Sequence, residues 1–148
     1  MKSRVVVTLA VLLAVGFTMG AQRAPSRRHI VVTGADSRLP FSNGVIANNT
    51  LYLAGVLGTD ADGTIPADMD REIRNALDRI KNVLAEGGMT MDDLVTVQVF
   101  CPDLTLYGKF NEIYRSYFTK EMPARAFIGS GPLLRGAHFE VQGIAVKR

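Results

Sequence analysis

Residues 68–86 constrain the fold more than any other stretch. The apolar residues Ile73, Ala76, Leu77, Ile80, Val83 and Leu84 recur at intervals of 3, 1, 3, 3 and 1. On a 3.6-residue turn all six fall on one side, so the segment from about Asp68 to Glu86 is predicted as a helix with a single apolar face. Gly87-Gly88 ends it, because glycine takes the left-handed cap without strain. A one-sided helix must lie against another apolar surface, and the surrounding chain supplies strands for that purpose.

Leu94 to Cys101 alternates Val95, Val97 and Val99 with Thr96, Gln98 and Phe100, the period of a strand. Gly44–Ala47 and Leu51–Val56 flank Asn48-Asn49-Thr50. Asn tolerates a left-handed backbone, so this pair is predicted as a β-hairpin. Ile30-Val31-Val32-Thr33 is expected as a short edge strand and Asp60-Ala61-Asp62-Gly63 as a turn. A second helix should follow Asp103, with Phe110, Ile113, Tyr114, Tyr117 and Phe118 on one stripe. Ala124–Ile128 and Ala137–Val146 close the chain as two more strands. The expected fold class is α+β: a mixed six-stranded sheet with two helices packed on one face. The other face then needs a cover, and a second copy of the chain is the economical one.

The first twenty residues stand apart. Met1-Lys2-Ser3-Arg4 is basic, Val5 to Phe17 carries no charge, and Gly20-Ala21 are small. That is the layout of a secretory signal peptide, with an uncleaved N-terminal anchor as the alternative. The apolar run falls short of the roughly 20 residues that span a bilayer. The expected organisation is a signal peptide at 1–20, a flexible basic arm at 21–29 and one domain at 30–148, exported to the periplasm or secreted. No stable membrane association is expected once the leader is cleaved. The whole chain has 17 Lys and Arg against 14 Asp and Glu. Without residues 1–20 the balance is 15 to 14, and without Arg23, Arg27 and Arg28 it is 12 to 14. The domain thus has no basic excess to attract phosphate backbones, so nucleic acid is not expected as a partner.

Few residues carry chemistry by themselves. One cysteine, Cys101, excludes an intramolecular disulfide framework and a Cys-rich zinc site, and it sits in an apolar strand as a small hydrophobe would. Two histidines, His29 and His138, supply a His-based metal site poorly. Gly129-Ser130-Gly131-Pro132 reads as a turn. Two charged residues stand out by context: Arg125 within Ala124-Arg125-Ala126-Phe127-Ile128, and Glu140 within Phe139-Glu140-Val141. Charges flanked this way are costly to bury unless they are paired or working. The pattern alone leaves three readings open: a functional site, a structural ion pair, or outward-facing positions of half-buried strands.

The order of segments resembles the RidA/YjgF family of enamine/imine deaminases. The resemblance runs from about Leu39 to Lys147. It is carried by Leu39-Pro40-Phe41-Ser42-Asn43-Gly44-Val45, Leu51-Tyr52-Leu53-Ala54-Gly55, Leu84-Ala85-Glu86-Gly87-Gly88 and Val97-Gln98-Val99-Phe100. Phe110-Asn111-Glu112-Ile113-Tyr114, Pro123-Ala124-Arg125-Ala126 and Phe139-Glu140-Val141-Gln142-Gly143 complete it.

The resemblance implies a chorismate-mutase-like subunit in a homotrimer, with sites in the clefts between copies. It assigns Arg125 to a substrate carboxylate, which suits two parallel N–H bonds. It assigns Glu140 to orienting the attacking water, and Phe41, Gly55, Asn111 and Phe127 to lining the substrate. The implied reaction is hydrolysis of 2-imino or enamine acids to 2-keto acids and ammonia, with no metal and no organic cofactor. The sequence also departs from the family pattern. Phe41 stands where the family has Tyr, Ala54-Gly55-Val56 where it has Ser-Gly-Gln, and Phe127 where a Cys is common. Gln142 replaces an acid, and Glu72 replaces a helix Gln. These changes imply a more apolar or narrower pocket, and they leave open a non-catalytic small-ligand-binding module on the same scaffold. A ribonuclease reading is the weakest, given the charge balance and the two scattered histidines.

Overall fold

The computed structural model describes residues 26–32 and 39–147. The expected signal peptide, and residues 21–25 of the expected arm, lie outside the described residues. Among the described residues, no helix is long and apolar enough to cross a membrane.

The predicted first helix is α1 (Met69–Glu86). Asp68 caps it by accepting from the Asp70 backbone N–H, and Gly88 just beyond its end has φ 69°. The six residues of its apolar face are all buried. Each such burial is worth about 1.5–3 kcal/mol for the larger side chains, so this face is the main hold of α1 on the sheet. The second helix is shorter than its aromatic stripe suggested. It comprises α2 (Tyr107–Tyr114), flanked by one-turn 3-10 helices at Leu104–Leu106 and Arg115–Tyr117.

Among the described residues, seven strands form one mixed sheet, not six. They are β1 (Arg27–Ile30), β2 (Gly44–Ala47), β3 (Thr50–Leu53), β4 (Val56–Leu57), β5 (Leu94–Cys101), β6 (Ala124–Gly129) and β7 (Glu140–Val146). The order is β1-β2-β3-β7-β5-β6, with β4 beside β7. Only β5 and β6 pair in parallel. The extra strand arises because the predicted run Leu51–Val56 breaks at Ala54-Gly55. Tyr52 pairs with Ile144, and after the break Val56 pairs with Val141 and Leu57 with Glu140.

Two other boundaries move. The edge strand lies at Arg27–Ile30 and does not run on through Val31 and Val32, because its pairing with β2 runs from Arg27↔Ala47 to Ile30↔Gly44; Thr33 of the expected strand lies outside the described residues. The last residues of the expected flexible arm are therefore strand. The final strand starts at Glu140, not Ala137, because the backbone N–H groups of His138 and Phe139 donate to the Glu72 carboxylate and not to a neighbouring strand. The hairpin forms with Asn48 at φ 58°, but its loop is only Asn48-Asn49, because Thr50 already pairs with Ala47; the turn is as predicted, with Gly63 at φ 85°.

Side chains alternate across the sheet. Leu51 and Leu53, Val97 and Val99, and Val141 and Ala145 are buried on the face that both helices cover. The other face carries Tyr52, Gln98, Phe100, Gln142 and Ile144. No helix among the described residues covers it, and Tyr52 is 50% exposed.

Candidate active site

β6 is the outermost strand beyond β5, and its register places Arg125 beside Val97 and Phe127 beside Val99. Both valines belong to the helix-covered face, so Arg125 and Phe127 point toward α2. The guanidinium meets an aromatic collar there. Its Cζ lies 4.6 Å from the Tyr114 ring centre, 5.6 Å from Tyr107, 5.7 Å from Phe127 and 6.0 Å from Phe110. Ring faces attract a cation by about 0.5–2 kcal/mol each, depending on how far water is excluded. Nη2 donates to Asn111 Oδ1 at 2.7 Å. Nη1 is buried and has no acceptor among the described residues.

Two tyrosines register this environment. The Asn111 amide, and behind it the Arg125 charge, hold the Tyr107 phenol below its ordinary range. Burial pushes Tyr114 up to about 12, with the Arg125 charge acting the other way. The Tyr114 Oη, like Arg125 Nη1, is buried without a partner. An unsatisfied buried polar group costs about 1–3 kcal/mol, so two in one collar point to a shared acceptor from outside the chain. A planar anion such as a carboxylate matches what a guanidinium offers.

Glu140 is built differently. Its strand partners are Phe100 on β5 and Leu57 on β4, both one residue out of step with the buried positions, so its side chain points to the other face. The carboxylate lies over Gly55. A Cβ at that position would collide with Glu140 Oε1 and lie 3.0 Å from its Cδ, so any side chain there displaces the carboxylate. Around it opens a cleft of about 780 Å³, lined by Phe41, Leu39, Gly55, Val56, Asn43 and Glu140 among others. The Phe41 loop is fixed by three bonds. Ser42 Oγ lies 2.8 Å from His29 Nδ1, Asn43 Oδ1 accepts from the Val32 N–H at 3.1 Å, and Asn43 O accepts from the Ala54 N–H at 3.0 Å. The Phe41 ring itself is 54% exposed.

The six residues expected at the site thus fall into two groups of three. Arg125, Asn111 and Phe127 meet on the helix-covered face at the sheet edge. Phe41, Gly55 and Glu140 meet at the cleft that opens around the β3–β4 break. Arg125 and Glu140 project from opposite faces of the same sheet, so no ion pair links them within one chain. Sequence reasoning missed Tyr107 and the roles of Tyr114 and Glu72, the latter noted only as standing in place of a helix Gln. Tyr107, Asn111 and Tyr114 lie at i, i+4 and i+7 on α2, which is a legible one-face signal. Tyr114 had been assigned to the apolar stripe. Cys101 is fully buried, and burial raises its thiol above the ordinary range, as suits a core residue. No group of three or more His, Cys, Asp or Glu among the described residues is placed to hold a metal ion.

The sequence profile described as Endoribonuclease L-PSP (Ribonuc_L-PSP) matches residues 33–147. The chain belongs to this family, the RidA/YjgF family. Within it, a Mus musculus protein named 2-iminobutanoate/2-iminopropanoate deaminase is 32% identical over 124 residues, covering 82% of this chain and 92% of that protein. The crystal structure of the YjgF gene product from E. coli superposes with a TM-score of 0.76 at 28% identity, covering 82% of this chain and 99% of that one. A protein of unknown function of the conserved Rid family, YyfA from Yersinia pestis, gives 0.76 at 28% identity, covering 82% and 100%. The mixed sheet with two helices on one face is the fold these RidA/YjgF structures share.

Proposed function

We propose that this chain is an imine/enamine deaminase that hydrolyses 2-imino acids without a cofactor, at sites each completed by two copies within a homotrimer. One observation carries the reading. Arg125 Nη1 is a buried donor without an acceptor, beside an Nη2 already anchored on Asn111. That is the arrangement of a carboxylate clamp. The deaminase names of the relatives favour the same chemistry.

The clamp would hold the substrate carboxylate and leave the adjacent C=N carbon facing Glu140 of a second copy. Glu140 would accept a proton from water as the water oxygen bonds to that carbon. Glu140 then passes that proton to nitrogen, the C–N bond breaks as the carbonyl forms, and the hydroxyl proton, taken up again by Glu140, joins the departing ammonia. Iminium plus water thus gives keto acid plus ammonium. Orientation accounts for most of the rate, because a protonated imine is already electrophilic. The two halves on opposite faces, and the uncovered face with Tyr52 and Phe100, favour assembly of copies.

A binding module without turnover is the second reading. It is favoured by Phe41, a ring where the family's tyrosine would place a hydroxyl. RNA cleavage is poorly supported, since His29 is engaged by Ser42 and His138 by Glu72.

The deciding assay uses freshly generated 2-imino acids with the wild-type protein and Arg125→Lys. Lysine keeps the charge but not the two parallel bonds. Arg125→Lys should melt close to wild type and lose hydrolysis by at least roughly tenfold, about 1.4 kcal/mol of transition-state binding. Undiminished turnover by a folded Arg125→Lys protein would remove the clamp. Tight keto-acid binding by a wild-type protein without turnover would select the binding module.

A further inference from the structure

Glu72 is fully buried, at 0% exposure, and no other charged residue among those described is. It lies on the face of α1 that carries the apolar stripe, four residues ahead of Ala76. Oε1 accepts from the backbone N–H groups of His138 at 2.7 Å and Phe139 at 3.2 Å, and Oε2 lies 2.7 Å from His138 Nδ1. Those are the two residues immediately before Glu140. On its other side the Glu72 backbone packs on Gly58, where a Cβ would come within 2.8 Å of Glu72 Cγ. Gly58 follows Leu57, the β4 residue paired with Glu140. One residue therefore grips both strand ends that hold the Glu140 carboxylate over Gly55.

We propose that Glu72 and His138 are a positioning pair that fixes the start of β7 and aims Glu140 at the reacting water. This rests on the role given to Glu140 above. Neither residue touches substrate. The pair also tolerates titration of the imidazole. A carboxylate only accepts, so Nδ1 keeps its proton whether the ring is neutral or charged. The anchor therefore holds whichever form the ring takes.

Glu72→Gln removes that tolerance while leaving the shape. The amide oxygen can keep both backbone bonds, but the amide nitrogen then faces Nδ1, which must accept. Only the neutral ring can do so. The variant's folded state thus favours the neutral ring, so its anchor weakens as pH falls and the ring takes up a proton. Asp103, whose carboxylate also feels the His138 charge, favours the charged ring equally in both proteins. His138→Asn supplies an N–H near the Nδ1 position that does not titrate.

The experiment compares the full-length wild type, Glu72→Gln and His138→Asn at pH 8 and pH 6. It reads kcat and KM on a freshly generated 2-imino acid, melting temperature, and hydrogen-exchange protection of the His138 and Phe139 amides. Glu72→Gln should stay within about twofold of wild type in kcat at pH 8 and lose about tenfold or more at pH 6, relative to wild type at the same pH, with KM within about twofold. Its two amides should lose protection at pH 6 only. His138→Asn should show the same kcat relative to wild type, and the same amide protection, at pH 8 and at pH 6. Wild-type kcat per folded Glu72→Gln molecule at both pH values, whatever its melting temperature, would reduce the pair to a structural role and overturn the proposal. If the wild type hydrolyses no imino acid, the deaminase reading fails by itself. Full amide protection in Glu72→Gln at pH 6 would separately remove the pair.

Discussion

The Arg125 half of the site and the Glu140 half solve the same problem by opposite means. Arg125 is placed by what surrounds it: four rings and one amide hold the guanidinium at the edge of the sheet. Glu140 is placed by what is missing. A broken strand and a glycine without a side chain leave room for its carboxylate. The first half is rigid through packing, and a side-chain change there alters chemistry before shape. The second half is a matter of backbone, and the smallest added group disturbs it.

Three experiments press on that contrast. The largest effect should come from mixing Arg125→Ala and Glu140→Ala proteins, each inactive alone, under conditions of subunit exchange. If each site draws one half from each of two copies, random assembly leaves both native residues at about one site in four. Recovery of roughly a quarter of wild-type turnover is expected. No recovery from exchanged mixtures would show that both residues act within one copy.

Next comes Gly55→Val. A Cβ there meets Glu140 Oε1 and lies 3.0 Å from its Cδ. Overpacking costs about 1–3 kcal/mol in well-filled sites. Turnover should fall by more than about a hundredfold while the keto-acid product still binds the clamp on the other half. Equal losses of binding and turnover would mean that the halves are not separable.

The smallest effect belongs to Tyr114→Phe. It removes a buried hydroxyl that has no partner, a group costing about 1–3 kcal/mol. The melting temperature should rise by a few degrees. If that hydroxyl shares the substrate carboxylate with Arg125, KM rises at the same time. A lower melting temperature would show that the hydroxyl has a partner in the assembled protein.

Local periodicity made much of this fold legible. The six-residue stripe of α1, the alternation of β5 and the Asn48 hairpin are each decided within a dozen residues, and each stands where expected. The family motifs likewise singled out Arg125, Asn111, Gly55 and Glu140. What the chain did not disclose depends on partners distant in sequence. The break at Ala54-Gly55 depends on how β4 meets β7, some 85 residues on. The opposite orientation of Arg125 and Glu140 depends on the registers of β6 and β7 against β5, not on the fourteen residues between them. Glu72 reads as an intruder in an apolar stripe until the N–H groups of residues 138 and 139 are brought to it.

The burial of Cys101 has a further consequence. It is the chain's one thiol, sealed in the core with Sγ donating to the Asp103 carbonyl at 3.0 Å, and burial keeps its proton on. Cross-linking and peroxide damage both proceed through an accessible thiolate. A folded copy offers none, so it can meet an oxidising medium without forming covalent dimers or carrying an oxidised sulfur into its core.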